Sequence, residues 1–304
     1  RDLRMSRGLG DVYKRQADKL ILRIAGFYFC VEGEATVRTL RTMDGFQPFL
    51  NSPANSEKLL FTFRPAGDPF TGRTEVFHRF ETEGINCSFF RTPAGYGLSM
   101  DSNNGKEPFV WIYNPESHTI DFQGEAEPAV LRFSLWQAFG MAALKHSVTA
   151  VHSSVVQCQG RVVLFLGESG TGKSTHTRLW LENVAGATLL NDDSPFLQAG
   201  ETEIKAWGSP WSGKTPCYRD EVYPVAAVVR LSQAPENRIR PLKTAEAIGA
   251  LLPSFPPSFA YEEATSDLLS DILSRIIGQV PIYHLECLPD AGAARLSFET
   301  IFGK

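Results

Sequence analysis

Cysteine is scarce and unpatterned in this sequence. The five cysteines, Cys30, Cys87, Cys158, Cys217 and Cys287, are odd in number and widely spaced, with no CxxC pair and no zinc-ligand spacing. That argues against a disulfide framework and against a structural zinc site, and it points to a reducing, cytoplasmic setting. Long apolar runs are missing too: stretches such as residues 162–166 are far too short to span a bilayer, and no stretch reads as a secretory signal. Nor is there an excess of positive charge. With 30 Lys and Arg against 34 Asp and Glu the net charge is -4, so neither nucleic acid nor a membrane surface is an expected partner. What is present, 43% hydrophobic and 21% charged residues in 304, describes an ordinary globular chain long enough for one large or two modest domains.

The first sixteen residues, RDLRMSRGLGDVYKRQ, differ from the rest of the chain. They are basic, lack an apolar period and end in DVYKRQ, which is how a mosaic-end adapter of transposon-based sequencing libraries translates in one frame. Residues 1–16 are therefore expected to be a non-native tail; the alternative is a disordered basic tail, and neither enters the fold.

Residues 17–126 read as an antiparallel β-rich unit. LILRIAGFYFCV, LLFTF and EVFHRF are rich in aromatic and β-branched residues and are separated by Gly, Pro, Asn and Asp clusters. His78 and His118 stand alone there and are expected to be ordinary surface or strand histidines.

Residues 127–304 have a different texture. LRFSLWQAFGMAALKH is helical in composition and leads into VTAVHSSVV and RVVLFLG, two β-rich runs separated by CQG. The short gap containing Gly160 predicts a hairpin. If Gln157 lies opposite Arg161 or Val162, counting back places His152 opposite Leu166 or Gly167, at the mouth of a glycine-rich segment.

That segment is GESGTGKST. It fits G-x-x-x-x-G-K-[ST] from Gly167 to Ser174, between a buried strand and a helix. Glycines at 167, 170 and 172 free backbone N–H groups to surround phosphate oxygens, and the helix after them directs its positive end to the same place. Gly167, Glu168, Ser169, Gly170, Thr171, Gly172, Lys173, Ser174 and Thr175 are thus the expected ATP-binding residues. Lys173 supplies a mobile charge for the β and γ phosphates, and the Ser174 hydroxyl is placed for magnesium, with manganese as an alternative. Further on, ATLLNDD brings Asp192 and Asp193 to the carboxyl end of a buried strand. Neighbouring strand residues point to opposite faces, so both serve one site only if the chain bends at the pair, as DDSP allows. One carboxylate then holds the metal while the other takes a proton from an attacking hydroxyl.

VHSSVVQCQGRVVLFLGESGTGKST followed by LLNDD resembles the catalytic core shared by HPr kinase/phosphorylase and ATP-dependent phosphoenolpyruvate carboxykinase. The resemblance implies an α+β protein, a β-rich unit followed by a P-loop α/β core of that type. It implies His152 as the active-site histidine, Asp192 beside Ser174 as a metal carboxylate, and Asp193 as general base. It is strong over residues 150–195 and weaker over YPVAAVVRLSQ and PIYHLE, which look like later core strands. The β-rich first half does not resemble the amino-terminal domain of an HPr kinase, and the chain lacks the length of a carboxykinase.

Between those strands lies WGSPWSGKTPCYRDE. Gly208, Pro210, Gly213 and Pro216 prevent regular structure there, while Trp207, Trp211, Lys214 and Arg219 supply stacking faces and positive charge. Lys214 is the first candidate to steady a transferred phosphoryl group. His176 is expected to be exposed, and PSFPPSFAY to fill a groove. A stripe of Leu268, Leu269, Ile272, Leu273, Ile276 and Ile277, with Gly278 as cap, is expected to be a core helix. The expected activity is transfer of the γ-phosphoryl group of ATP to a hydroxyl, foremost a serine of a protein or peptide. A small-molecule acceptor, a carboxykinase-like reaction and a non-catalytic nucleotide sensor stay open, as does assembly into a homo-oligomer.

Overall fold

The computed structural model describes residues 18–51, 58–66 and 75–303. The expectation of a foreign tail at residues 1–16 lies outside them. The chain divides into two compact units, one running to Ala142 and the other from Ala143.

The first unit is built on one sheet. Its strands are β1 (Lys19–Ile24), β2 (Phe27–Glu32), β3 (Thr62–Pro65), β4 (Glu75–Thr82), β5 (Ile85–Thr92), β6 (Gly95–Asp101), β7 (Phe109–Asn114) and β8 (Thr119–Gln123). They lie in the order β1-β2-β3-β8-β7-β6-β5-β4. Two of the hairpins turn on an X-Gly pair with positive φ at both residues, Ala25–Gly26 and Glu83–Gly84, the geometry that matches strand twist. The expected all-antiparallel arrangement needs correction: β3 runs parallel to both β2 and β8. The connection from β2 to β3 passes through helix α1 (Glu34–Arg41), and such a crossover returns the chain in the same direction.

Helix α2 (Pro128–Leu144) belongs mainly to this first unit, so the division falls after Ala142 and not at 126/127. Phe139 packs on Phe29 and Phe133 on Phe80, with ring centroids 5.8 and 6.1 Å apart. The change of texture at Glu127 marks a change of secondary structure, and the helix is apolar on so much of its surface that it must be covered.

The second unit holds the other sheet. Its elements are β9 (Val148–Ala150), β10 (Ser153–Cys158), β11 (Arg161–Leu166), α3 (Lys173–Asn183), β12 (Thr188–Asp193), β13 (Phe196–Ala199), β14 (Ile204–Trp207), β15 (Val222–Gln233), β16 (Arg238–Pro241), α4 (Thr244–Leu251), α5 (Glu263–Gln279), β17 (Ile282–Cys287) and α6 (Ala291–Phe302). The main run is β12-β10-β11-β15-β17-β16, with β11, β15 and β17 parallel. The first residues of β15 also pair with β14, which continues the sheet through β13 to β9. The protein is therefore a mixed α/β molecule with two sheets and helices.

The hairpin read from CQG is present, turning on Gln159–Gly160 with Gln157 opposite Val162. Val162 to Leu166 in β11 are all wholly buried, and burying each such side chain stabilises by about 1.5–3 kcal/mol. Val163 and Phe165 meet Trp180 of α3 and Ala294 of α6 in one cluster. Phe255 and Phe259 of the proline-rich connection are buried as well. On α5, Leu269, Ile272, Leu273 and Ile276 are buried, whereas Leu268 and Ile277 are half-buried; Gly278 lies inside the helix, and Val280 caps it. Among the described residues no helix is long and apolar enough to cross a membrane.

His176 is buried, contrary to the expectation of an exposed helix residue. It sits one turn before Trp180 on the inward face of α3, edge-on to Phe165 at 4.7 Å. Its Nε2 and the Trp180 Nε1 both meet Ser297 Oγ, at 3.3 and 2.9 Å. That hydroxyl already donates to carbonyls of Ala293 and Ala294, so His176 donates through Nε2 and leaves Nδ1 as a buried, unpartnered acceptor.

Burial lowers the His176 pKa from 6.5 to about 4. The unfolded chain then binds a proton that the folded chain refuses between those values. Stability is full above pH about 6.5 and falls by about 3 kcal/mol as the pH drops to about 4. Denaturant unfolding near pH 7 and near pH 4 should show a His176→Leu variant losing about 3 kcal/mol less than the parent over this interval. Equal losses in the two proteins would contradict the assignment.

Candidate functional site

Topology collects the candidate residues on one sheet edge. Strand β10 is antiparallel to both β11 and β12, so the carboxyl ends of β11 and β12 and the amino end of β10 share that edge. The glycine-rich loop leaves β11 there, Asp192 and Asp193 end β12 there, and His152 immediately precedes β10. Ser153 pairs with Asp193 and Ser154 with Asp192.

The loop conformation follows from its glycines. Gly170 and Gly172 have φ of 82° and 104°, and a side chain on Gly167 would lie 2.3 Å from Thr171 Oγ1. Helix α3 begins at Lys173, which leaves its first N–H groups and the positive end of its dipole directed into the loop. The Lys173 ammonium folds back and donates to Gly167 O at 2.7 Å and Glu168 O at 3.3 Å. Its pKa is lowered, chiefly by burial and further by Arg230, while the carboxylates of Asp193 and Asp192 oppose the shift. Both carboxylates therefore act on the same ammonium.

Two pairs stand beside the loop. Ser174 Oγ lies 3.1 and 3.2 Å from the two oxygens of the buried Asp192 carboxylate. Asp193 Oδ1 lies 3.1 Å from His152 Nδ1, both side chains being partly open to solvent. The bend needed at the aspartate pair is present, with Asp193 at φ 152°, a backbone region that normally requires glycine. Thr175 lines a cavity of about 260 Å³ with Ser174, Asp192 and Thr215. Glu168 Oε1 is 3.4 Å from an Arg230 guanidinium nitrogen, and Ser169, Gly170 and Thr171 face a separate cavity towards β15.

The 207–221 segment closes on the aspartate pair from outside. Gly213 donates its N–H to Asp192 O, and Ser212 bridges to Asp193. A side chain at Gly213 would stand 2.9 Å from Asp192 O and 3.3 Å from Asp193 Cβ, so this approach needs glycine. Lys214 is exposed, next to Thr215, which lines the cavity beside Asp192. The expectation of two stacking tryptophans fails in part. Trp211 is buried edge-on to Phe196, and Trp207 donates to Gln198. Arg219 pairs with Glu221 at 3.7 Å.

Sequence reading overlooked Asn191. Its buried amide donates to Ser209 Oγ at 3.2 Å and Trp211 O at 3.1 Å, and its oxygen accepts from Ser194 N at 2.9 Å. One side chain thus ties the bend after Asp193 to the closing segment. An amide placed directly after Leu189 and Leu190, on the strand that leads into the aspartate pair, was the available signal.

Hard oxygen donors from Ser174 and Asp192 fit magnesium, which keeps water and phosphate oxygens for its other positions. Among the described residues, no three or more His, Cys, Asp or Glu side chains gather as a metal site.

Fold and site define a mixed α/β protein with a glycine-rich loop, a Ser–Asp pair and a His–Asp pair on one sheet edge. No family model and no curated protein matches the chain. Among solved structures it is similar to the HPr(Ser) kinase/phosphatase from Coxiella burnetii, over 50% of this chain and 92% of that one, at 14% identity and a TM-score of 0.29.

Truncating Asn191 strands the buried Ser194 N–H and takes one of two donors from Trp211 O, which keeps Ser209 Oγ at 3.0 Å. Asn191→Ala should cost about 2 kcal/mol in denaturant unfolding, and a loss below about 0.5 kcal/mol would show that the network does not hold the segment.

Proposed function

We propose that this chain transfers the γ-phosphoryl group of ATP to a hydroxyl, with serine of a protein or peptide as the acceptor class. The observation that supports it most is the meeting of the Ser174–Asp192 and His152–Asp193 pairs beside one glycine-rich loop. A loop that only held phosphate would have no need of a carboxylate and an imidazole at its mouth.

In this reading the backbone N–H groups of residues 167–173 and the start of α3 bind the phosphates. Lys173 exchanges its contacts with Gly167 O and Glu168 O for phosphate oxygens. Ser174 and Asp192 would hold magnesium, which offsets phosphate charge when bound. Asp193 accepts the proton of the attacking hydroxyl as the new P–O bond forms and the bond to the β-phosphate oxygen breaks, with ADP leaving. His152 donates through Nδ1 and fixes the Asp193 carboxylate by its 3.1 Å contact. Lys214, on the closing segment, would steady the charge that develops on the transferred group.

Incubation of the protein with γ-labelled ATP, magnesium and a cell extract should label serine in protein. Label in small molecules alone would remove the protein acceptor, and an absence of label would remove transfer. Asp193→Asn should lower transfer at least about a hundredfold while ATP affinity stays within about threefold. Lys173→Ala should weaken both. Full transfer by Asp193→Asn would end its role as base.

A further inference from the structure

A second opening at this edge lies across the loop from Ser174 and Asp192. It measures about 560 Å³ and is bounded by the loop residues Ser169 and Thr171, by Arg230, Ser232 and Gln233 towards the carboxyl end of β15, and by His284 within β17. Small-molecule sites run to roughly 300–1,000 Å³. This cavity is within that range, and the one of about 260 Å³ beside Asp192 is below it.

Its chemistry suits an uncharged group. Arg230 and Glu168, the Arg and Glu side chains that line it, pair with each other at 3.4 Å, which leaves little net charge for an anion. The other polar groups are oriented or readily exchanged. His284 is held by Ser232, with Nε2 to Oγ at 2.8 Å. The Gln233 amide donates to Gly170 O at 3.4 Å, at the outer limit of a hydrogen bond. An amide presents a donor and an acceptor side by side, the pattern that reads a purine edge, and an imidazole offers a face on which a base stacks.

The sheet order adds direction. The Ser174–Asp192 pair is on the β12 side of β11 and this cavity on the β15 side, with the loop between them. A ligand whose phosphates lie in the loop, with its metal-bound end at Asp192, has its uncharged end towards β15. We propose that this cavity is the nucleoside subsite, in which Gln233 hydrogen-bonds the edge of a purine base and His284 flanks its ring. The proposal rests on the reading of the loop as a phosphate cradle.

Equilibrium binding of ATP and of inorganic tripolyphosphate to the full chain, with magnesium, tests it. The parent should bind ATP at least about tenfold more tightly than tripolyphosphate. Gln233→Ala, an exposed position, should lose about tenfold in ATP affinity and nothing in tripolyphosphate affinity, which also reports an intact fold. His284→Ala should act in the same direction. Unchanged ATP affinity in both variants, or equal loss of both ligands, overturns the subsite. Equal parent affinity for the two ligands leaves the cradle standing and removes the subsite, whereas binding of neither removes both.

Discussion

The double antiparallel pairing of β10 is the constraint on which the rest depends. A strand flanked by two antiparallel partners forces those partners to run in the same direction, so the ends of β11 and β12 and the start of β10 meet on one edge. A bulge adjusts the register. Val155 pairs with Asn191 but Val156 pairs with Leu189, leaving Leu190 as the extra residue on β12. Without the bulge, the register set by Val156 and Leu189 would place Asn191 opposite Ser154 and Asp192 opposite Ser153.

Geometry at Asp193 is held against its own preference. A non-glycine residue at φ 152° is strained, and such strain persists only where surrounding contacts over-determine it. Here the contacts are visible: Asn191 secures Ser194, Ser212 bridges Asp193, and Gly213 lies against both aspartates. In the proposed reaction this cost has a use, because a carboxylate fixed before substrate arrives needs no reorganisation as the proton moves.

Legibility in the sequence followed the range of the interaction. Local signals were enough for the CQG hairpin, with its register narrowed to two choices, and for the strand that ends in the aspartate pair, because turn chemistry and β-branched runs act over a few residues. Non-local packing was not legible. The parallel placement of β3 depends on a distant crossover, the burial of His176 depends on Ser297 in α6, and Trp211 turns inward onto Phe196. The candidate cavity beside Gln233 and His284 was not legible either, since β15 and β17 become neighbours only through sheet order. Helix α2 shows the same limit, as a shift in composition told where a helix begins but not which unit it completes.

The central claim is that the Ser–Asp and His–Asp pairs act on one nucleotide held by one loop. A crystal structure with magnesium, ADP and aluminium fluoride tests it most directly. The account predicts metal on Ser174 and Asp192, fluoride beside Lys173, and an Asp193 carboxylate oxygen facing the position of the attacking oxygen within hydrogen-bond reach. A nucleotide bound with its phosphates away from Asp192, or an Asp193 carboxylate turned from the fluoride, would contradict it.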